Sequence, residues 1–150
     1  KKTTHKLVIA GKKGWLYENL FNMVEDLGLE EKVIFTGFVD DEDVQPIMSG
    51  AEVFVLPSFW EGFGIPVLEA MAAGTPVVCS DKASLPEVAG KAGLYVNPNQ
   101  PKDIAEKIHQ VLTDDKLSKD LIQSGREQVK KLSWDKCSRK ILETIINEVN

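Results

Sequence analysis

Five short apolar runs alternate with segments of helical periodicity, and this alternation more than any other feature limits what the chain can fold into. The runs are K-L-V-I-A at residues 6–10, V-I-F-T at 33–36, E-V-F-V-L at 52–56, V-V-C at 77–79 and G-L-Y-V at 93–96. Runs this short with little polar alternation read as strands covered on both faces, the habit of parallel sheets. Gly11, Gly37 and Pro57 stop the first three. Between the first two, Leu16, Leu20, Phe21, Val24 and Leu27 recur at helical spacing, with Gly28 as the C-terminal cap. Asp40, Asp41, Glu42 and Asp43 open a short helical turn that Pro46 restricts and Gly50 closes. A helix is expected over residues 65–73 and a short one around Leu85, Pro86, Glu87 and Val88.

Beyond Asn97 and Pro98 the pattern is helical throughout. Pro101 starts a helix striped by Ile104, Ile108, Val111 and Leu112. Asp114 caps a second, with Leu117, Leu121 and Val129, and Gly125 weakens its middle. Ser133 caps a third, with Trp134, Cys137, Ile141, Ile145 and Val149 on one face. Strands alternating with helices predict an α/β fold: a Rossmann-like, doubly wound parallel sheet with C-terminal helices, one domain over residues 1–150.

Composition narrows the partners. With 150 residues, 43% of them hydrophobic, the chain can bury a real core. A net charge of −5 argues against nucleic acid or anionic lipid as the main partner. Cys79 and Cys137 lack metal-ligand spacing, so free thiols of a reducing cytoplasm are expected, and no apolar run is long enough to span a bilayer. His5 and His109 have no carboxylate or cysteine at useful spacing and are not expected to act as bases.

Doubly wound sheets bind ligands beyond the carboxyl ends of their strands. Here those are the loops after Ala10, Thr36, Leu56 and Cys79. The loop after Leu56 is the most informative, running E-G-F-G-I-P-V-L-E-A over residues 61–70. Two glycines lead into a helix with Pro66 expected at its first position, and such a helix start attracts an anion through its unpaired N–H groups and its dipole. Glu61 and Glu69 flank the cradle and would repel an anion, which makes sense if each grips a polyhydroxyl group. The loop Gly11, Lys12, Lys13 and Gly14 lies on the same expected edge and is a candidate phosphate loop, although solvated lysines are the commoner reading.

The stretch E-G-F-G-I-P-V-L-E-A followed by M-A-A-G-T-P-V-V resembles the E-x7-E signature of family-four glycosyltransferases, which are retaining and nucleotide-sugar dependent. K-L-V-I-A-G, V-I-F-T-G-F-V, A-E-V-F-V-L-P-S, S-L-P-E-V-A-G and L-S-W agree with that family in order and spacing. The resemblance implies the C-terminal, donor-binding domain of a GT-B enzyme that uses no bound metal and no cofactor beyond a UDP- or GDP-linked sugar as co-substrate. It implies that Glu69 accepts hydrogen bonds from the ribose diol. Glu61 would be the catalytic carboxylate beside the transferred sugar, and Gly62, Phe63, Gly64 and Ile65 would offer backbone N–H groups to sugar and diphosphate. Gly37, Phe38 and Val39 match the family's base-contact loop. Ser84, Leu85 and Glu87 match a motif beside the site, for which a plain helix start is an equal reading, and Trp134 matches an aromatic that packs.

Against the family's pattern the chain starts one strand and one helix late. The absent piece carries an Arg and a Lys that neutralise the diphosphate, and its strand is central in the order 3-2-1-4-5-6. A gap is therefore expected between the strands at Val8 and Phe54. It could be closed by direct pairing, filled by self-association with another copy, or supplied by a longer chain. Robust transfer by the 150 residues alone is not expected, because the acceptor domain is also absent. The resulting expectation is the donor-binding part of an enzyme that moves a hexose to a glycan or lipid-linked hydroxyl with retention. Such an enzyme would be cytoplasmic, with peripheral contact at the inner membrane face made by its N-terminal domain. The alternatives are a non-catalytic nucleotide-sugar module and a sugar-phosphate synthase or phosphorylase on the same fold.

Overall fold

The computed structural model describes residues 4–12, 14 and 17–149, so the Lys13 and Leu16 readings lie outside the described residues. The chain divides into two compact units at residues 44 and 45. The described strands form two parallel sheets, one of two strands and one of three.

In the first unit, β1 (Leu7–Ala10) pairs with β2 (Val33–Gly37), with Leu7 opposite Val33 and Ile9 opposite Phe35. The register then slips, placing Ala10 opposite Gly37. The helix α1 (Glu18–Asp26) follows β1, and its Phe21 ring stacks on Phe35 at 4.1 Å between centroids. Gly28 ends α1 as its spacing predicts: at φ +61 its N–H donates to the Glu25 carbonyl, while Leu29 N–H donates to Val24, a Schellman closure. The expected burial of β1 on both faces is not met. Leu7 is 54% and Val8 45% exposed, as is Ile34 at 42%. Val33 and Phe35 turn inward while Ile34 and Thr36 turn outward, so within this unit one face of the ribbon is covered and the other is open.

The second unit, which the chain enters within α2 (Asp41–Ser49), holds the core. In its sheet β4 (Val77–Ser80) lies between β3 (Phe54–Leu56) and β5 (Gly93–Val96), and all four β4 residues are buried. Side chains alternate across the sheet as strand geometry requires. Val77 and Cys79 join Val67, Ala70, Met71, Leu85 and Val88 on one side, whereas Val78 joins Val96, Val111 and Leu121 on the other. The first group is supplied by α3 (Ile65–Ala73) and α4 (Leu85–Ala89), the second by α5 (Pro101–Thr113) and α6 (Asp115–Lys131). Helices on both faces make this sheet doubly wound.

The terminators read from the sequence are present. Asp114 Oδ1 accepts from Lys116 N–H at 3.1 Å and Leu117 N–H at 2.9 Å, capping α6. Gly74, left-handed at φ +81, ends α3. Gly125 is buried against Met71, whose Cγ would stand 3.1 Å from an added Cβ. Its helix-weakening is thus offset by letting α6 approach α3. The helix α7 (Trp134–Val149) carries the expected apolar stripe, but Trp134, Ile141 and Ile145 on it are exposed. No helix of the described residues is long and apolar enough to cross a membrane.

Candidate functional site

The residues between β3 and α3 form the signature loop, and local chemistry explains its shape. Pro57 cannot extend a strand ladder, and Gly64 adopts φ +92 and ψ +44, which an L side chain resists. The helix then opens at Ile65, so Pro66 is its second residue and not its first. This changes the count of donors. Pro66 has no N–H, and Val67 N–H is taken by the Gly64 carbonyl at 3.0 Å. Of the first three helical residues, only Ile65 keeps an N–H that the helix does not use. An anion here must draw on the loop amides as well.

The two carboxylates stand in different settings. Glu61 is half-buried, and its Oε1 accepts from Ser58 Oγ at 2.8 Å, which fixes the carboxylate and leaves Oε2 for another donor. Glu69 is exposed and is the fifth residue of α3, just past its first turn. The helix dipole acts mainly within the first turn, so a merely dipole-favoured glutamate is a poor account of it. Glu69 makes no hydrogen bond or ion pair among the described residues.

The loop after β4 reaches back to this turn. Ser84 Oγ donates toward the Glu61 carbonyl at 3.1 Å and the Phe63 carbonyl at 3.0 Å. Leu85, fully buried, lies against Gly64: a Cβ added there would sit 2.6 Å from Leu85 Cδ2. Phe59, Trp60 and Phe63 point outward, with Trp60 81% exposed. Ser58 was not singled out by sequence reasoning. Its only signal is a hydroxyl three residues before Glu61.

In the first unit, Gly11 N–H donates to the Gly37 carbonyl at 2.9 Å, tying together the loops that leave β1 and β2. Lys12 Nζ rests 4.6 Å from the centre of the exposed Phe38 ring, a cation–π contact. The candidate phosphate-loop residues Gly11 and Lys12 and the candidate base-contact residues Gly37 and Phe38 are therefore neighbours. Val39 is half-buried and Gly14 exposed.

Away from the signature, burial pushes the Cys79 thiol up to about 12. Burial, with a smaller contribution from Cys79, pushes the Tyr95 hydroxyl up to about 12, and that hydroxyl donates to the Gly90 carbonyl. Cys79 is buried and Cys137 exposed, both as free thiols. A shallow hollow of about 340 Å³ along α7, lined by Cys137, Lys140, Ile141, Thr144 and Ile145, includes no signature residue. Among the described residues no group of three or more His, Cys, Asp or Glu is placed to hold a metal ion.

Residues 1–128 match the family model described as glycosyl transferases group 1. An O-antigen chain mannosyltransferase B of Escherichia coli is 42% identical over 134 residues, which cover 89% of this chain and 35% of that protein. A sucrose-phosphate synthase structure from Thermosynechococcus elongatus superimposes with a TM-score of 0.86 at 29% identity, over 96% of this chain and 38% of that one. The crystal structure of a C-terminal domain of a glycosyl transferase group 1 family protein from Francisella tularensis gives 0.74 at 28% identity. There the match spans 84% of this chain and 68% of the other. The chain thus spans about a third of the length of the full-length relatives it matches.

Proposed function

The chain belongs to the group 1 glycosyl transferases, with the GT-B fold of their C-terminal domain, and from that premise we propose that it binds the nucleoside-diphosphate sugar of a retaining hexosyltransferase. The observation that carries this reading is the state of the two signature carboxylates. One is oriented by Ser58 with an oxygen to spare, and the other is unpaired and exposed one helical turn in. Neither belongs to an ion pair among the described residues that would explain it.

In this reading Glu69 takes the ribose diol and Glu61 a hydroxyl of the transferred sugar. The N–H groups of Gly62, Phe63, Gly64 and Ile65 serve the diphosphate and sugar. In the first unit, Gly37, Phe38 and Val39 take the base, and Gly11, Lys12, Lys13 and Gly14 approach phosphate. The bond between the anomeric carbon and the diphosphate oxygen breaks, and the electron pair leaves with the diphosphate. The acceptor hydroxyl attacks the same face, and its proton passes to the departing phosphate oxygen. Glu61 stabilises the positive charge that develops between these events, and no carboxylate acts as a covalent nucleophile. We place the acceptor, a glycan or lipid-linked hydroxyl, on the part of the relatives' length that this chain does not span. Transfer by the 150 residues alone is accordingly expected to be weak or absent. A cytoplasmic location belongs to the same proposal.

Calorimetric titration with UDP and with GDP tests the reading. One of the two should bind the wild-type chain, and Glu69→Ala should weaken that binding by about 1–3 kcal/mol. Failure of both nucleotides to bind would refute donor binding. The likeness to a sucrose-phosphate synthase supports a second reading, in which the acceptor is a sugar phosphate. In a chain of the relatives' full length, preference for a sugar phosphate over a free glycan would select it.

A further inference from the structure

We propose that Ser84, on the loop after β4, is a positioning residue for donor binding: its hydroxyl sets the two signature peptides whose N–H groups meet the diphosphate. The inference rests on the donor-binding reading of the same site and adds to it a residue acting from outside the signature.

Peptide geometry supplies the first step. In a trans peptide the C=O and the following N–H point in opposite directions. Ser84 Oγ draws the Glu61 carbonyl to 3.1 Å and the Phe63 carbonyl to 3.0 Å, so both point toward one hydroxyl. The N–H groups of Gly62 and Gly64 belong to those same peptide units and must therefore point away from it. Both N–H groups are then kept free of Ser84 on the opposite side of the loop, where turn amides can serve an anion. The helix start offers only Ile65 beside them, since Pro66 has no N–H and Val67 N–H is occupied.

Three further observations fit a Ser84 loop held against the signature turn. Ser84 occupies the N-cap position of α4, yet its side chain makes no capping hydrogen bond. The usual reason for a serine there is absent. Ala83, just before it, has φ +51, and it is the one non-glycine residue with positive φ among those described. Such strain persists where the surroundings enforce it. Leu85, just after it, is fully buried and packed on Gly64. Residues 83–85 thus grip both ends of the turn, through a hydroxyl at 61 and 63 and through packing at 64.

The test compares Ser84→Ala with Ser84→Thr, which keeps the hydroxyl, in the whole chain. Amide NMR comes first and needs no ligand: Gly62 and Gly64 resonances should shift and exchange faster in Ser84→Ala and return toward wild type in Ser84→Thr. Binding follows, with UDP or GDP, whichever binds wild type, and with the matching nucleoside. Ser84→Ala should weaken the diphosphate about three- to tenfold while the nucleoside, held through Glu69, changes less than about twofold. Equal losses for diphosphate and nucleoside, or unmoved glycine amides, would overturn the proposal. Should the alanine variant lose its fold, Ser84→Cys, close in volume but a weak donor, answers the same question. If neither nucleotide binds wild type, the donor reading fails, and the amide comparison still decides whether Ser84 sets the turn.

Discussion

Replacing Gly64 with alanine tests the geometry on which the site depends. Gly64 is the N-cap of α3 at φ +92, and an L residue in the left-handed region costs about 1–2 kcal/mol. The new methyl would also lie 2.6 Å from Leu85 Cδ2. Leu85 has no exposed surface and packs with Val67, Ala70, Met71 and Val88, so it cannot swing aside into solvent. Overfilling such a place costs about 1–3 kcal/mol. The two costs share one residue and need not add fully. Gly64→Ala is expected to lose about 2–4 kcal/mol, a large part of the roughly 5–15 kcal/mol that holds a domain together. Gly62 is the internal control. A Cβ there meets no heavy atom within 4 Å and its backbone is not left-handed, so Gly62→Ala should stay within about 0.5 kcal/mol of wild type. Urea unfolding followed by circular dichroism, with unchanged slope against denaturant, gives both numbers. Equal stabilities for the two variants would refute the reasoning. Nucleotide titration of the same proteins adds a second contrast. Gly62→Ala keeps the fold but, in the proposed donor-binding reading, places a methyl where the diphosphate approaches the backbone, so it should bind UDP or GDP more weakly.

Asp114→Ala should lower stability by about 0.5–2 kcal/mol in thermal or urea unfolding, because it removes the acceptor for the Lys116 and Leu117 amides. At alkaline pH the buried Cys79 thiol sets a slope. Its folded value of about 12 lies above the ordinary 9.0, so the unfolded chain gives up that proton first. This contribution is whole below pH 9.0 and is lost as pH rises toward 12, by about 1.4 kcal/mol per unit. Cys79→Ala should flatten the fall between pH 10 and 11 by about that amount, and an unchanged slope would assign it to another group.

What was legible in the sequence was local. Gly28 and Asp114 act within a turn of their own helices, and both sit where spacing placed them. The run at residues 77–79 is buried on both faces because a continuous apolar run needs that cover. The E-x7-E spacing likewise lies in one loop and one helix. What the sequence hid depends on partners distant along the chain. Whether Leu7 and Val8 are covered depends on layers that no periodicity names. Gly125 read as a weakness in α6 because Met71, its contact, is 54 residues away in sequence. Pro66 read as the first helical residue because its preference for the first turn is loose by one position, and that position decides which amides remain free.

The serines carry this point into the site. A helix start followed by proline is a poor anion site by itself, since one of its donors is missing and the next is spent on Gly64. Two carboxylates beside it make matters worse electrostatically. Both difficulties are met outside the signature's own ten residues. Ser58 donates to one Glu61 oxygen, which satisfies part of the carboxylate's demand and restricts its rotation. Ser84 holds two loop carbonyls against its hydroxyl, and in the proposed reading the N–H groups of the same peptides stand in for the donors that the helix lacks. In the proposed reading the signature supplies the groups that touch the donor, and the loop after β4 sets which way they face.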